Sequence, residues 1–510
     1  MKTPAINTAP PLKGKTLLIH ANAGPKIGIG HVMRCLALAQ EWIRLGGRVE
    51  FIGFVEGKDL HDRIKSIGST LTSLSDGMIP QATLEAILER ATTLEPGSWV
   101  MVDNYDFNPE SQQKLKEKFP RVLLMDDYHH HQEYHACIIL NQNIGAQEIA
   151  YNADRDCTIL AGTDYVMLRN EFRTTTCKTE SHENCRVLLT LGGADADNMT
   201  QNVLTALESL QRDYLSVTAV LGPANLNRTE IEEFANNSLM PLKVLQSVSN
   251  MSELICNSDL IISAGGSTCW EICALEKPMA VIVTAENQKR LTYELGKNGA
   301  ALNLGNAEGI STNHIAKNIS ELLDSAKKRN DLARAAHKLV DGNGVERIIN
   351  MISKEIIFRS AVKKDCEMIL EWANDPETRK WSYNQTPIAL QEHETWFAAR
   401  LSEPENIYLI AENGFDEPIG QIRFQKMENG YEVHVLVAKE FRGGGTGSRL
   451  IRNASMHLLE NKGPQRIMAR AKSENIASVK AFEKAGYRIT GEQEVCGAPS
   501  VVMEFHESMD

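Results

Sequence analysis

Apolar runs of membrane-spanning length are missing from this sequence: none reaches the ~18 residues that a spanning helix needs. The chain is therefore expected to have no membrane span. Residues 1–15 hold no apolar core of signal-peptide length and read as a loose tail. Excess positive charge is missing too. A formal net charge of −12 argues against a nucleic-acid backbone as the main partner. It still admits a phosphate-bearing small molecule, because helix N-termini and local Arg or Lys side chains hold anions inside acidic proteins. The ten cysteines include no CxxC pair. Cys35, Cys256 and Cys269 fall within apolar patterns, as reduced buried thiols do, and the expected compartment is the cytoplasm. Zinc-type spacing is likewise absent. His129, His130, His131 and His135 crowd "DDYHHHQEYH", yet adjacent side chains diverge and no second ligand group accompanies them. A solvated polar loop is expected there, with no metal.

What is present is alternation. The 510 residues are 42% hydrophobic and 24% charged, an ordinary soluble composition too long for one core. From about residue 14 to 180, β-rich runs such as "TLLIH", "RVEFIGF", "SWVMVDNY", "RVLLMDDY" and "ACIILNQN" alternate with helical patterns. The alternation restarts after the polar stretch "TTTCKTESHEN" and continues through 185–350. Both blocks predict parallel sheets with ligand chemistry at the strand C-terminal ends. There stand Asn22, Asp103, Asn104, Tyr105, Asp126 and Asp127. Two such blocks in tandem point to a ligand cleft between them. From 356 to 510 the pattern changes to a strand meander, a glycine loop and a helix.

Three glycine turns carry the candidate chemistry. In "KIGIGHVMRCLALAQEW", Gly28 and Gly30 occupy a strand-to-helix turn where a ligand can approach the backbone. His31 opens the helix at its positive end, as a candidate general base beside a phosphate site. In "ISAGGSTCWEICALEKP", Gly265 and Gly266 turn, Ser267 or Thr268 caps a helix, and backbone amides can hold a diphosphate. Glu271, one turn in, can accept from ribose hydroxyls. The third turn, "RGGGTG", runs Arg442, Gly443, Gly444, Gly445, Thr446, Gly447. It offers an amide cradle for pyrophosphate, with Val435 and Val437 on the strand before it. Glu432 and His434 share one face of that strand and are candidate bases. Trp381 and Trp396 read either as core or as an acceptor-site lining.

The carboxy-terminal block resembles the GNAT superfamily of acetyl-CoA-dependent N-acetyltransferases. Arg442, Gly445 and Gly447 match its pyrophosphate motif; Asn475, Ser478, Gly486 and Tyr487 match the later one. The resemblance implies acetyl-CoA as co-substrate. Phe482 stands where many relatives carry a tyrosine general acid.

Residues 14–350 resemble the UDP-2,4-diacetamido-2,4,6-trideoxy-β-L-altropyranose hydrolases of pseudaminic acid biosynthesis, through "IGIGHVMRCLALA", "VDNY", "YVMLRNEF", "LGGADADN", "SAGGSTCWEICALEKP" and "AENQ". That resemblance implies a two-domain glycosyltransferase-B fold related to MurG-type enzymes. It makes His31 the catalytic residue, places Asn287 and Gln288 of "AENQ" by the sugar, and sets Glu271 by the ribose. The resemblance departs at Asn22, where relatives carry an aspartate that could orient His31. The expected architecture is α/β: Rossmann-like domains at 14–180 and 185–350, then a GNAT domain at 356–510. The expected activity is twofold: removal of UDP from a diacetamido sugar with inversion, and N-acetylation of its 4-amino precursor. A glycosyltransferase, a UDP-sugar 2-epimerase, or a non-catalytic UDP-sugar binder remain alternatives for the amino-terminal half.

Overall fold

A computed structural model describes residues 12–24, 27–177, 185–193, 195, 197–222, 225–246, 248 and 250–506. Most of the expected tail, and part of the polar stretch before the second block, lie outside the described residues. The chain divides into two compact units, one reaching to Ile349 and the other taking in Asn350–Asp510.

The first unit holds two parallel sheets. One comprises β1 (Thr16–Ala21), β2 (Arg48–Gly53), β3 (Thr70–Ser73), β4 (Trp99–Asp103), β5 (Val122–Met125), β6 (Ile138–Asn141) and β7 (Thr158–Ala161), in the order β3-β2-β1-β4-β5-β6-β7. β1 and β4 are buried along their whole lengths, as strands covered on both faces must be. β3 and β7 escape notice in the sequence because they are edge strands of four residues each, too short to show a period, and neither is buried along its length. The other sheet comprises β8 (Cys185–Thr190), β9 (Leu215–Leu221), β10 (Leu242–Gln246), β11 (Leu260–Ala264), β12 (Met279–Val283) and β13 (Leu302–Asn306), in the order β10-β9-β8-β11-β12-β13.

Each order reverses once, between β1 and β4 in the first sheet and between β8 and β11 in the second. Crevices open at such reversals, beyond the strand C-termini. The helix Gly30–Arg44 follows β1 and buries Val32, Leu36, Ala39 and Trp42 at helical spacing. The helix Thr268–Ala274 follows β11 and buries Trp270, Ile272 and Cys273. Each thus delivers its glycine turn to a reversal point.

The second unit is a mixed sheet of β14 (Ile357–Ser360), β15 (Ile407–Glu412), β16 (Pro418–Met427), β17 (Gly430–Val437), β18 (Ile467–Lys472), β19 (Tyr487–Val495) and β20 (Ala498–Phe505), in the order β14-β15-β16-β17-β18-β20-β19. All neighbours are antiparallel except β17 and β18. Those two pair only over Tyr431–Val433, opposite Ile467–Ala469, although β17 stays bonded to β16 as far as Val437. Beyond Val433 the parallel pair splays, leaving one edge of each strand without its ladder partner. Among the described residues no helix is long and apolar enough to cross a membrane.

Candidate functional sites

The two reversal points of the first unit face a shared cavity of about 510 Å³. Its amino-terminal wall holds an ion network built on Asp103, the last residue of β4 and only 1% exposed. His31 Nδ1 lies 2.6 Å from Asp103 Oδ1. Arg34, one helical turn on, donates to both Asp103 oxygens at 2.6 Å and to Asp127 at 2.8 Å. Tyr105 donates to the other Asp127 oxygen at 2.5 Å. Burial pushes the Asp103 carboxyl upward, but the Arg34 charge and the hydrogen bonds from Arg34 and His31 prevail and hold it well below the usual carboxylate range. An ionised Asp103 accepts only, so His31 must present its Nδ1–H to it. That leaves the Nε2 lone pair free to take a proton. His31, Arg34, Tyr105 and Asp127 all line the cavity.

The opposite wall brings Gly266, Ser267, Glu271, Asn287 and Arg290. A side-chain carbon at Gly30 or Gly266 would meet nothing within 4 Å, so both turns are open on that side. One at Gly265 would come within 2.2 Å of Thr292 Oγ1, which gives that glycine a packing role. Arg169 reaches Glu271 at 3.0 Å, and burial pushes the Glu271 carboxyl up despite that guanidinium. Arg290 has no carboxylate partner among the described residues and donates only a long bond to the Ile144 carbonyl.

Several expected ligand contacts are relocated by this geometry. Asn22 does not line the cavity; its Oδ1 accepts from the Phe54 amide at 2.9 Å and ties together the segments that leave β1 and β2 at their C-terminal ends. The carboxylate that meets His31 is Asp103, not a group at position 22. Gly28 pairs with Gly24 in a β-bridge and has φ +83°, which only a glycine adopts readily. Gln288 accepts from the Thr284 amide and hydroxyl, so it shapes the loop carrying Asn287. Thr268 is the first residue of its helix and does not line the cavity. Cys256 is not a free thiol: it is bonded to Cys177, whose segment passes the end of the helix Met251–Cys256 with a Cα separation of 4.9 Å. Cys35 and Cys269 are free and buried, as expected. The histidine-rich loop is ordered by Asp126, which accepts from the His129 amide, Tyr134 and Tyr151 and pairs with His130.

In the second unit, a groove of about 630 Å³ runs along the splay of β17 and β18. Val435 and Val437 line one side, Ala471 and Lys472 the other. At its end Gly443, Gly444 and Gly445 take φ of +89°, +57° and +85° in succession. Three left-handed residues in a row explain the glycine run. They turn successive amides toward the start of the helix Thr446–Lys462, which makes an anion cradle. Arg442 lines the groove, but its guanidinium is held by Asp375 at 2.7 Å and by Thr378, so it braces the cradle. Asn475 caps the helix Ile476–Lys484 through the Ser478 amide and also faces the groove.

Glu432 and His434 do not line the groove. They alternate with Val433, Val435 and Val437, which pack under the helix Thr446–Lys462, and so lie on the other sheet face. Glu432 is ion-paired with Arg470, which does reach the groove. Burial, reinforced by Arg423, pushes the His434 imidazole down to about 4. A carboxylate tied to arginine and a histidine of such low basicity are poor proton acceptors. Phe482 packs edge-on against Tyr487 inside the core, and the Tyr487 hydroxyl is bonded to Ser455 at 2.8 Å. Neither can serve the groove. Trp381 lines it, whereas Trp396 packs against a second core cluster under Arg423. Arg34, Arg290 and Tyr383 are among the lining groups that the sequence motifs did not single out.

Both halves of the chain are similar to known proteins. Residues 186–350 match the glycosyltransferase family 28 C-terminal domain, and residues 355–488 match the acetyltransferase (GNAT) domain. The chain is thus two parallel-sheet Rossmann-like domains followed by a GNAT-type domain. An uncharacterized protein of Methanocaldococcus jannaschii is 25% identical over 502 residues, covering 93% of this chain and 97% of its own length. The UDP-2,4-diacetamido-2,4,6-trideoxy-beta-L-altropyranose hydrolase of Campylobacter jejuni is 22% identical over 291 residues, or 56% of this chain and 97% of that protein. Among solved structures, Acinetobacter baumannii MurG aligns with 66% of this chain and 98% of its own at 12% identity and a TM-score of 0.47.

Proposed function

We propose that this chain is a bifunctional nucleotide-sugar enzyme. Its GNAT domain acetylates the 4-amino group of a UDP-linked 4-amino-4,6-dideoxy sugar with acetyl-CoA. Its Rossmann-like pair then hydrolyses UDP from the resulting UDP-2,4-diacetamido-2,4,6-trideoxy-β-L-altropyranose. The observation that carries the reading is the His31–Asp103 pair at the wall of a cavity whose other wall belongs to the glycosyltransferase-like domain. The similarity to the Campylobacter hydrolase supports the substrate class.

In this reading His31 Nε2 takes a proton from a water attacking the anomeric carbon, and Asp103 stabilises the imidazolium that forms. UDP leaves from the opposite face and the configuration inverts. Gly266 and Ser267 amides and the carboxylate-free Arg290 hold the diphosphate as charge grows on it. Glu271, braced by Arg169, and Asn287 contact ribose and sugar. In the groove, the cradle Gly443–Gly447 holds the pyrophosphate of acetyl-CoA, and the splayed edge of β17 accepts the extended arm beyond it. The sugar amine attacks the thioester directly as the free base. With Glu432 paired and His434 weakly basic, its proton passes to solvent.

Glycosyl transfer to an acceptor other than water is a second reading, favoured by the family of residues 186–350. Acceptor dependence separates the two. Incubating pure protein with the UDP-diacetamido sugar alone is the test: UDP release without an acceptor supports hydrolysis, and release only with an added acceptor supports transfer.

A further inference from the structure

When an amine takes acetyl from a thioester, the departing sulfur leaves as a thiolate and needs a proton. The second unit has four tyrosines, Tyr383, Tyr408, Tyr431 and Tyr487. Tyr408, Tyr431 and Tyr487 are 6%, 5% and 2% exposed and belong to hydrophobic cores. Tyr383 alone among them lines the groove, as do Ser382, Val435 and Leu436.

Its hydroxyl is also placed to survive losing a proton. Tyr383 donates to Ser500 Oγ at 2.9 Å, and Ser500, 1% exposed, donates in turn to the Ala498 carbonyl at 3.0 Å. A serine hydroxyl can reverse its role. While Tyr383 gives its proton away, the Ser500 hydrogen can turn from Ala498 to the phenolate oxygen. Lys472 stands 5.8 Å from the ring centroid, with its ammonium fixed on the Ser382 carbonyl at 2.7 Å. The other cations of the groove are placed differently: Lys480 and Lys484 are exposed, Arg442 is held by Asp375, and Arg470, also near Tyr383, is held by Glu432.

We infer that Tyr383 is the general acid of acetyl transfer, with Ser500 as its positioning residue. The assignment rests on the acetyltransferase reading of this unit. The amine nitrogen bonds to the acetyl carbon, and the carbon–sulfur bond breaks with its electron pair going to sulfur. The phenolic proton passes from Tyr383 to that sulfur, while the amine proton goes to solvent. A solvent proton then restores the phenol.

The experiment measures kcat, KM for acetyl-CoA and the pH dependence of acetyl transfer by the full chain, Tyr383→Phe and Ser500→Ala. Acetyl-CoA binding to each variant is measured by calorimetry. The expected result for Tyr383→Phe is a fall in kcat of about 100-fold, with acetyl-CoA binding unchanged and the alkaline decline of kcat abolished. Ser500→Ala should show a smaller fall and a displaced alkaline decline. A Tyr383→Phe enzyme with near-normal kcat, or with weakened acetyl-CoA binding that accounts for its loss, overturns the assignment. A wild-type chain that binds acetyl-CoA but acetylates no amino sugar overturns the reading beneath it.

Discussion

Replacing Asp103 by Asn changes one oxygen to an amide nitrogen and so puts a donor where His31 now finds an acceptor. The carboxylate, 1% exposed, accepts from His31 and twice from Arg34. An amide nitrogen can donate to His31 Nδ1. The imidazole then carries its proton on Nε2, where it can no longer accept one from water. An equivalent carboxylate-to-amide change in a Ser-His-Asp triad lowers turnover about 10⁴-fold, and a loss of about 10³–10⁴ is the magnitude expected here. Arg34 retains Asp127, so the buried charge is not orphaned. The stability cost should therefore fall short of the ~3–5 kcal/mol that breaking a buried pair outright entails. The assay is UDP release from the diacetamido substrate at a temperature where melting curves show both proteins folded, with acetyl transfer by the same preparation as internal control. Asp103→Asn releasing UDP at more than about a tenth of the wild-type rate would refute the orienting role.

Other consequences are as direct. His31→Asn should abolish UDP release and leave acetyl transfer intact, measured on one sample; loss of both in a folded protein contradicts the division of labour. Gly443→Ala places a side chain at φ +89°, with nothing within 4 Å on the protein side. The strain is about 1 kcal/mol, and the added methyl should raise the KM for acetyl-CoA severalfold without touching UDP release. Burial works to raise Asp103 and Asp126, yet Arg34 on the first, and His130 and Tyr151 on the second, hold both below the usual range. A carboxyl depressed in the folded state contributes stability that is complete above about pH 4 and lost as pH falls through the folded value. The first unit should lose stability below about pH 4, and Asp103→Asn should blunt that loss; a melting temperature independent of pH there contradicts it.

Much of this was legible in the sequence because glycine turns and strand periodicity are local signals. "GIGHVMRC" showed a histidine opening a helix after a buried strand, and "RGGGTG" showed a run that only left-handed backbone requires. The partners of those groups were hidden because they are not local. Asp103 meets His31 from a strand 72 residues away, and only the strand order puts β4 beside β1. Asn22 drew attention as a polar strand end where relatives carry an aspartate, yet the chain turns it toward Phe54. The Cys177–Cys256 pair spans 79 residues and leaves no CxxC-like trace. Glu432 and His434 were correctly placed on one face, but alternation alone does not say where along the strand the groove lies, and Leu436 of that face lines it while they do not. The splay of β17 from β18 decides that. Tyr383 lies in an irregular segment with no periodicity, so only its place in the groove marks it.

The central claim is that one chain acetylates a UDP-linked amino sugar and then cuts UDP from the product. The most direct test is to give the pure protein UDP-linked 4-amino-4,6-dideoxy-β-L-AltNAc and acetyl-CoA, and to follow the mixture by NMR. The acetylated UDP-sugar should appear first, then free UDP and the free diacetamido sugar with inverted anomeric configuration. Acetylated UDP-sugar that accumulates with no release of UDP would contradict the claim, and would leave the His31–Asp103 cavity as a binding site without turnover.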